Sequence, residues 1–199
     1  MNYVTADLTI SLDGFVAGPR QSLEHPMGEG TERLHRWQFE QAEENAAEIA
    51  AIVEAGAFIM GRNMFGPIRG EWEGDWQGWW DENPPYHAPV YVLTHYPREP
   101  LVMQGGTTFY FVTDGVESAM EQARTAAGSA SISIGGGADT IRQFLNAGLI
   151  DELSLHTSPI LLGEGERLFD GVSALALEPL SARSTSLVTH VRYRVTYAR

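Results

Sequence analysis

The chain has 199 residues, 43% of them hydrophobic, and a formal net charge of −13; it can bury one full core as a single domain over 1–199, and it lacks the basic surface that general nucleic-acid binding needs. No apolar run approaches the roughly twenty residues of a membrane span, and no basic-then-apolar leader opens it, so we expect a soluble, cytoplasmic protein without membrane partners. Having no cysteine it has no thiolate metal ligands, and with 26 acidic residues against 13 Lys and Arg any phosphate must be gripped locally, by backbone N–H groups and a few placed arginines.

Tyr3 to Leu12 is rich in β-branched residues and stops at the turn signal Asp13-Gly14, which predicts a buried first strand. Asp13 then lies at a carboxyl strand end, where open α/β sheets collect ligands. It is a candidate substrate contact, with a turn aspartate bonded to its own backbone as the alternative. Residues 18–31 are Gly- and Pro-rich and form a loop long enough to be a lid. A long helix is predicted next, with Leu34, Trp37, Gln41, Ala42, Ile49, Ile52 and Val53 on one stripe and Glu40, Glu43, Glu44 and Glu48 in solvent.

Ala57 to Met60 reads as a buried strand that runs into Gly61-Arg62-Asn63, so Arg62 is either a phosphate clamp or a surface arginine. Residues 69–89 carry Trp72, Trp76, Trp79 and Trp80 among Gly, Asp and Glu. This aromatic loop has three readings: a fold over a planar ligand, a contact with another subunit, or a cover for one sheet edge. Pro89 to Thr94 is the next strand, with Thr94-His95 at its carboxyl end, and Thr107 to Val112 another. Asp114 is placed to cap a helix whose inner face is Val116, Ala119, Met120, Ala123 and Ala127.

In residues 131–145, Ile132 and Ile134 alternate at period two, three glycines follow, and Ile141, Phe144 and Leu145 recur at helical spacing. Strand, glycine turn and helix follow one another. The first N–H groups of such a helix have no intrahelical partner, and Gly135, Gly136 and Gly137 let a ligand approach the backbone closely. A turn that binds nothing is the other reading. Asp139 favours the helix dipole but repels a phosphate unless it points away. Asp151 to Leu162 begins as a strand in which His156 either faces a pocket or is a satisfied sheet histidine. Residues 163–169 read as a loop. Leu187, Val191, Tyr193, Val195 and Tyr197 then alternate with His190, Arg192, Arg194 and Thr196, the pattern of an edge strand with one solvated face. The element order is that of an α/β protein with a mixed sheet. No two histidines have the H-x-x-x-H or H-E-x-x-H spacing of a helical metal site, and none is expected.

Five of these segments in order, Thr5 to Asp13 with Ser11-Leu-Asp-Gly14, Ile59-Met-Gly-Arg62, Val90 to Thr94, Ile134 to Ala138, and Asp151-Glu-Leu153 through Gly163-Glu-Gly165, resemble the dihydrofolate reductase superfamily, closest to the reductase C-terminal domain of the riboflavin-biosynthesis enzyme RibD. The resemblance implies a three-layer fold: a mixed, mostly parallel sheet of about eight strands with an antiparallel C-terminal edge and helices on both faces. It implies NADPH as cofactor, with Gly135, Gly136, Gly137, Ala138, Asp139 and Thr140 around the pyrophosphate and Gly61, Arg62 and Asn63 beside it. Leu93, Thr94 and His95 would lie near the 2′-phosphate, and Thr9, Val16 and Ala17 near the nicotinamide. Asp13 and His156 are the candidates for substrate contact or proton supply, and Trp37 is the candidate stacking wall for the substrate. Two departures stand out: no acid occupies the first-helix position near Asn45 where folate reductases place one, and Met64 stands where the family carries a hydroxyl. The expected activity is hydride transfer to a C=N or similarly polarised bond of a small heterocycle or sugar-linked imine by a homodimer, with a non-catalytic nucleotide-binding protein as the alternative.

Overall fold

The computed structural model describes residues 2–67 and 69–197. The chain opens with β1 (Val4–Ser11), turns into the short β2 (Phe15–Ala17), and passes through the Gly- and Pro-rich loop to α1 (Arg36–Phe39) and α2 (Ala46–Ile52). β3 (Ala57–Gly61) runs directly into α3 (Arg62–Phe65), and the Trp-rich loop leads to β4 (Pro89–Leu93), β5 (Leu101–Val102) and β6 (Thr108–Val112). After these come α4 (Val116–Ala127), β7 (Ile132–Gly136), α5 (Ala138–Asn146) and β8 (Glu152–Ser158). β9 (Glu166–Arg167), β10 (Leu175–Ser184) and β11 (Thr189–Tyr197) follow.

Nine strands form one sheet in the order β10-β11-β8-β1-β7-β3-β4-β6-β5, one more than the resemblance implies. The pairs from β8 across to β6 are parallel, and β11 and β10 add the antiparallel C-terminal edge. Alternation along the strands sorts side chains onto two unlike faces. On one face Ala6, Leu8, Ile59, Ile132, Ile134 and Leu153 pack beneath α4 and α5. Ile141, Phe144 and Leu145 of α5 are buried there, each contributing about 1.5–3 kcal/mol.

The opposite face is divided. Over β3, β4 and β6, Phe58, Met60, Val90, Val92 and Phe109 form a second core with Phe65 and Tyr86, against which Trp72, Trp76 and Trp80 of the aromatic loop pack. The loop therefore covers that part of the sheet. Over β1 and β8 the same face is polar yet buried, with Thr9, Ser11, Ser154, His156 and Ser158 beneath the segment that carries α1 and α2.

Three local expectations are corrected, and one strand was not foreseen. The predicted long helix is broken between Phe39 and Ala46. There the buried Asn45 Nδ2 donates to the carbonyls of Trp37 and Gln41, at 3.2 and 2.8 Å, a local side-chain to backbone pattern that competes with helix. Asp114 does not cap α4; Gly115 stands at its N-cap with φ 92°, and the Asp114 carboxylate accepts from the Thr113 hydroxyl instead. The loop predicted over 163–169 contains β9, which pairs with β2. β10 was not foreseen, because its apolar alternation is confined to Leu175 and Leu177 and is followed by Pro179 and a fully exposed run.

Candidate active site

A cavity of about 950 Å³ opens along the carboxyl ends of β1, β7, β3 and β4. Every residue that the resemblance places around a cofactor lines it except Gly136. Its central feature is the turn between β7 and α5. The register between β3 and β7 steps from Ile59–Ile134 to Met60–Gly136, leaving Gly135 as an extra residue that bends the strand outward. Gly136 has φ 113°, and Gly137 begins α5 with no side chain capping it. A Cβ on Gly137 would meet nothing within 4 Å, so its backbone faces open cavity. Met64 roofs Gly135, where a Cβ would lie 3.1 Å from its Cε. The Asp139 carboxylate stays in the cavity wall, where it accepts from Gln143 Nε2 at 2.6 Å. Gly61 lets β3 approach α5; a Cβ there would collide with Thr140 Oγ1.

Across the groove the Arg62 guanidinium lies 3.6 Å over the Trp72 ring and donates to Thr94 Oγ1 at 3.3 Å. Arg62 Nε is buried without a hydrogen-bond partner among the described residues. Desolvation, followed by the nearby Arg69 and Arg98, lowers the pKa of this guanidinium, as befits a cation with no carboxylate beside it. Such a cation is placed for an incoming anion. Above the cavity the loop from Gly18 to Glu29 closes on itself, Gly18 N donating to Met27 O and Glu29 N to Pro19 O, both at 2.8 Å. Pro19, Arg20, Gln21, Pro26 and Met27 of this loop face the cavity.

The floor is polar. Asp7 and Thr9 project from one face of β1 and Ser133 from the neighbouring β7. Asp7 Oδ1 lies 2.6 Å from His156 Nε2, His156 Nδ1 lies 2.6 Å from His190 Nδ1, and His190 Nε2 lies 2.8 Å from Asn45 Oδ1. Burial first, and His156 second, hold the His190 pKa down to about 4. His35, in the cavity wall before α1, is likewise lowered to about 4, mainly by desolvation.

The three expected substrate contacts lie elsewhere. Asp13 is a clamp: its carboxylate accepts from Ser11 Oγ at 2.6 Å and from the N–H groups of Leu162 and Gly163 at 3.1 and 2.8 Å, which together with partial desolvation set its pKa at about 2. Trp37 is fully buried; its Nε1 donates to Thr9 Oγ1 at 3.2 Å, and its ring packs on His156 and His190. It is core beneath the cavity rather than a stacking wall. His156 is also buried and sits behind Asp7. Gly136 falls outside the wall because its positive φ turns it toward Leu8. Sequence reasoning missed Asp7, His35 and His190 as site residues. The available signal was the alternation Thr5, Asp7, Thr9, Ser11, matched by Glu152, Ser154, His156, Ser158.

A groove at the carboxyl ends of a mixed, mostly parallel sheet, opened by a glycine turn at a helix N-terminus, defines a protein of the dihydrofolate-reductase-like class. Within that class the model of the RibD C-terminal domain matches residues 2–191, and the chain belongs to this family. Among solved structures it is similar to a protein named for riboflavin biosynthesis from Shewanella sp. PV-4, with TM-score 0.66, 25% identity, and coverage of 99% of this chain and 100% of that one. It shares its fold with a pyrimidine reductase-like protein from Corynebacterium diphtheriae, with TM-score 0.60, 16% identity and coverage of 99% and 93%. A diaminohydroxyphosphoribosylaminopyrimidine deaminase/5-amino-6-(5-phosphoribosylamino)uracil reductase from Thermotoga maritima also shares it, with TM-score 0.59 and 16% identity. The match covers 97% of this chain but 56% of that longer one. A comparison with curated proteins finds no match.

Proposed function

We propose that this chain is an NADPH-dependent reductase of a small heterocycle or sugar-linked imine, of the kind acted on in riboflavin biosynthesis. The observation that carries the reading is the uncapped Gly137 turn open to the same cavity as Arg62, a cation in no ion pair among the described residues whose Nε is buried without a hydrogen-bond partner. These residues fit a dinucleotide: the amides of Gly137 and the first turn of α5 would hold a pyrophosphate, and Arg62 with Thr94 and His95 a 2′-phosphate. When bound, a dihydronicotinamide supplies a hydride. The work left to the protein is orientation, which Thr9, Val16 and Ala17 perform at one end of the cavity and the Gly18–Glu29 loop completes by excluding water. Orientation of this kind contributes up to about 7–11 kcal/mol in ideal intramolecular systems, with no covalent nucleophile needed.

The same proposal places the protein in the cytoplasm as a homodimer. Leu12 and Leu161, 67% and 72% exposed on adjacent strand ends, support a second copy as their cover. Sedimentation that shows only monomer at micromolar concentration removes the dimer. The enzymatic reading is tested by titrating NADPH and NADH and then following loss of the reduced nicotinamide absorbance with pyrimidines, pterins and sugar-linked imines. Binding followed by consumption supports it. Binding without consumption across the panel favours a nucleotide-binding protein, and no binding of either nucleotide overturns both.

A further inference from the structure

On the polar face of the sheet four side chains hydrogen bond end to end, and only the first of them, Asp7, reaches the cavity. The direction of every bond can be worked out from the far end. Asn45 Nδ2 donates to the carbonyls of Trp37 and Gln41, which fixes the amide so that Oδ1 faces His190 as an acceptor. His190 Nε2 therefore carries a proton. Burial and His156 keep His190 neutral near pH 7, so its Nδ1 is a bare acceptor. His156 Nδ1 must then be the donor of the bond between the two rings. That leaves His156 Nε2 facing Asp7 Oδ1 at 2.6 Å, a contact that requires one proton between them. Without it, two lone pairs would oppose each other.

We infer that Asp7 is the catalytic acid of the proposed reduction, and that His156, His190 and Asn45 are positioning residues that keep one proton at the cavity wall. The inference rests on the reductase reading above. Asp7 is suitably placed, since it sits two residues before Thr9 on the same face of β1, roughly 6.6 Å along the strand from the residue assigned to the nicotinamide end. Among the described residues it is also the one carboxylate that reaches the cavity from the nine-stranded sheet; Asp139 and Glu166, the other acids of the cavity wall, lie on α5 and β9.

The step balances. The substrate carbon receives the hydride, with both electrons, from the dihydronicotinamide. The C=N π bond breaks toward nitrogen, and nitrogen takes the proton from Asp7. A C–H and an N–H bond form, the nicotinamide is left oxidised, and the Asp7–His156 pair is left one proton short, to be refilled from water entering the opened cavity. Giving up its proton would leave the pair with one negative charge, which would favour an oxidised nicotinamide if that ring were bound beside it. The charged groups facing the chain are the Glu152–Arg192 pair on β8 and β11, Glu48 with Arg183 beyond His190, and His35 on the turn before α1.

Asp7→Asn tests this, because the amide keeps the size and can donate to His156 Nε2, leaving the fold and the glycine turn intact while removing the transferable proton. NADPH affinity should stay within about threefold of the unsubstituted chain while single-turnover reduction slows by about 100-fold or more. A second readout needs no activity. Nitrogen NMR of the histidine rings in the ligand-free protein should show His190 protonated at Nε2 and His156 sharing a proton with Asp7; in Asp7→Asn, His156 should become a neutral ring protonated at Nδ1. His190→Leu removes the acceptor for His156 Nδ1 and should move the His156 ring spectrum and the rate together, without changing NADPH affinity. Asp7→Asn retaining most of the rate, or His190 protonated at Nδ1, overturns the inference. Failure of the unsubstituted chain to bind NADPH overturns the reductase reading instead, and the ring spectra still decide where the proton lies.

Discussion

Replacing Trp37 by Phe separates a core role from a ligand-wall role. The ring is fully buried, so no part of it reaches a ligand, and its Nε1 donates to a Thr9 hydroxyl that is itself buried. Phe removes that donor, which costs about 1 kcal/mol. It also leaves a void against His156 and His190, whose ring centroids lie 4.7 and 5.1 Å away. Full truncation of a buried Trp costs about 3–5 kcal/mol, and Phe keeps most of the ring, so about 1 kcal/mol more is assigned to the void. The total of about 2 kcal/mol corresponds to a fall in Tm of roughly 4–8 °C for a chain of this size. Urea unfolding followed by far-ultraviolet circular dichroism measures it, and NADPH titration of the same variant should give a Kd within about twofold of the unsubstituted protein. Unchanged stability together with a tenfold loss of affinity would refute the reasoning, since it would mean that the indole forms the cavity wall after all.

Three further outcomes are expected. Arg62→Gln should weaken NADPH by about 10- to 100-fold, the loss of one charge-assisted contact, with the unfolding midpoint little changed; an unaltered Kd would show that the buried guanidinium serves only to stack on Trp72. Gly28→Ala forces a side chain onto φ 85° and against the Gly18 carbonyl, so the Gly18–Glu29 loop should open at a cost of about 1–3 kcal/mol. Faster proteolysis of that loop and weaker ligand binding would be the signs, and neither appearing would reject the role of the glycine pair. His35 and His190 sit at about 4 in the folded chain against 6.5 unfolded, so the unfolded state binds more protons between these values. Stability should be level above about pH 6.5 and fall by on the order of 3 kcal/mol toward pH 4.5. Equal urea midpoints at pH 7 and 5 would contradict those shifts.

The elements that form the groove were legible in the sequence because their causes are local. A β-branched run, three glycines and a helical stripe lie within fifteen residues of one another, and each dictates the backbone of its own neighbourhood whatever surrounds it. That the glycine turn, Arg62 and Thr94 border one cavity was implied in advance only by the resemblance to the dihydrofolate reductase superfamily, because which strand ends lie side by side is not a local property. The broken helix and β10 were not legible for equally local reasons. Asn45 competes for carbonyls that a periodicity count ignores, and the apolar alternation of β10 stops after Leu175 and Leu177.

The polar floor belongs to the other category. Thr5, Asp7, Thr9 and Ser11 alternate as the solvated side of a strand would, and His190 falls among arginines in the same way. Burial of that face depends on the α1–α2 segment lying across it, and on partners that arrive from 149 residues away along the chain, as His156 does for Asp7. A polar group is stable inside only when another group satisfies it, and that pairing is a property of the packed sheet. The sequence by itself determined the strands, the turn and the groove they border; only the tertiary structure decided that Trp37 is core, that Asp13 is a clamp, and that Asp7 is the cavity carboxylate joined to His156.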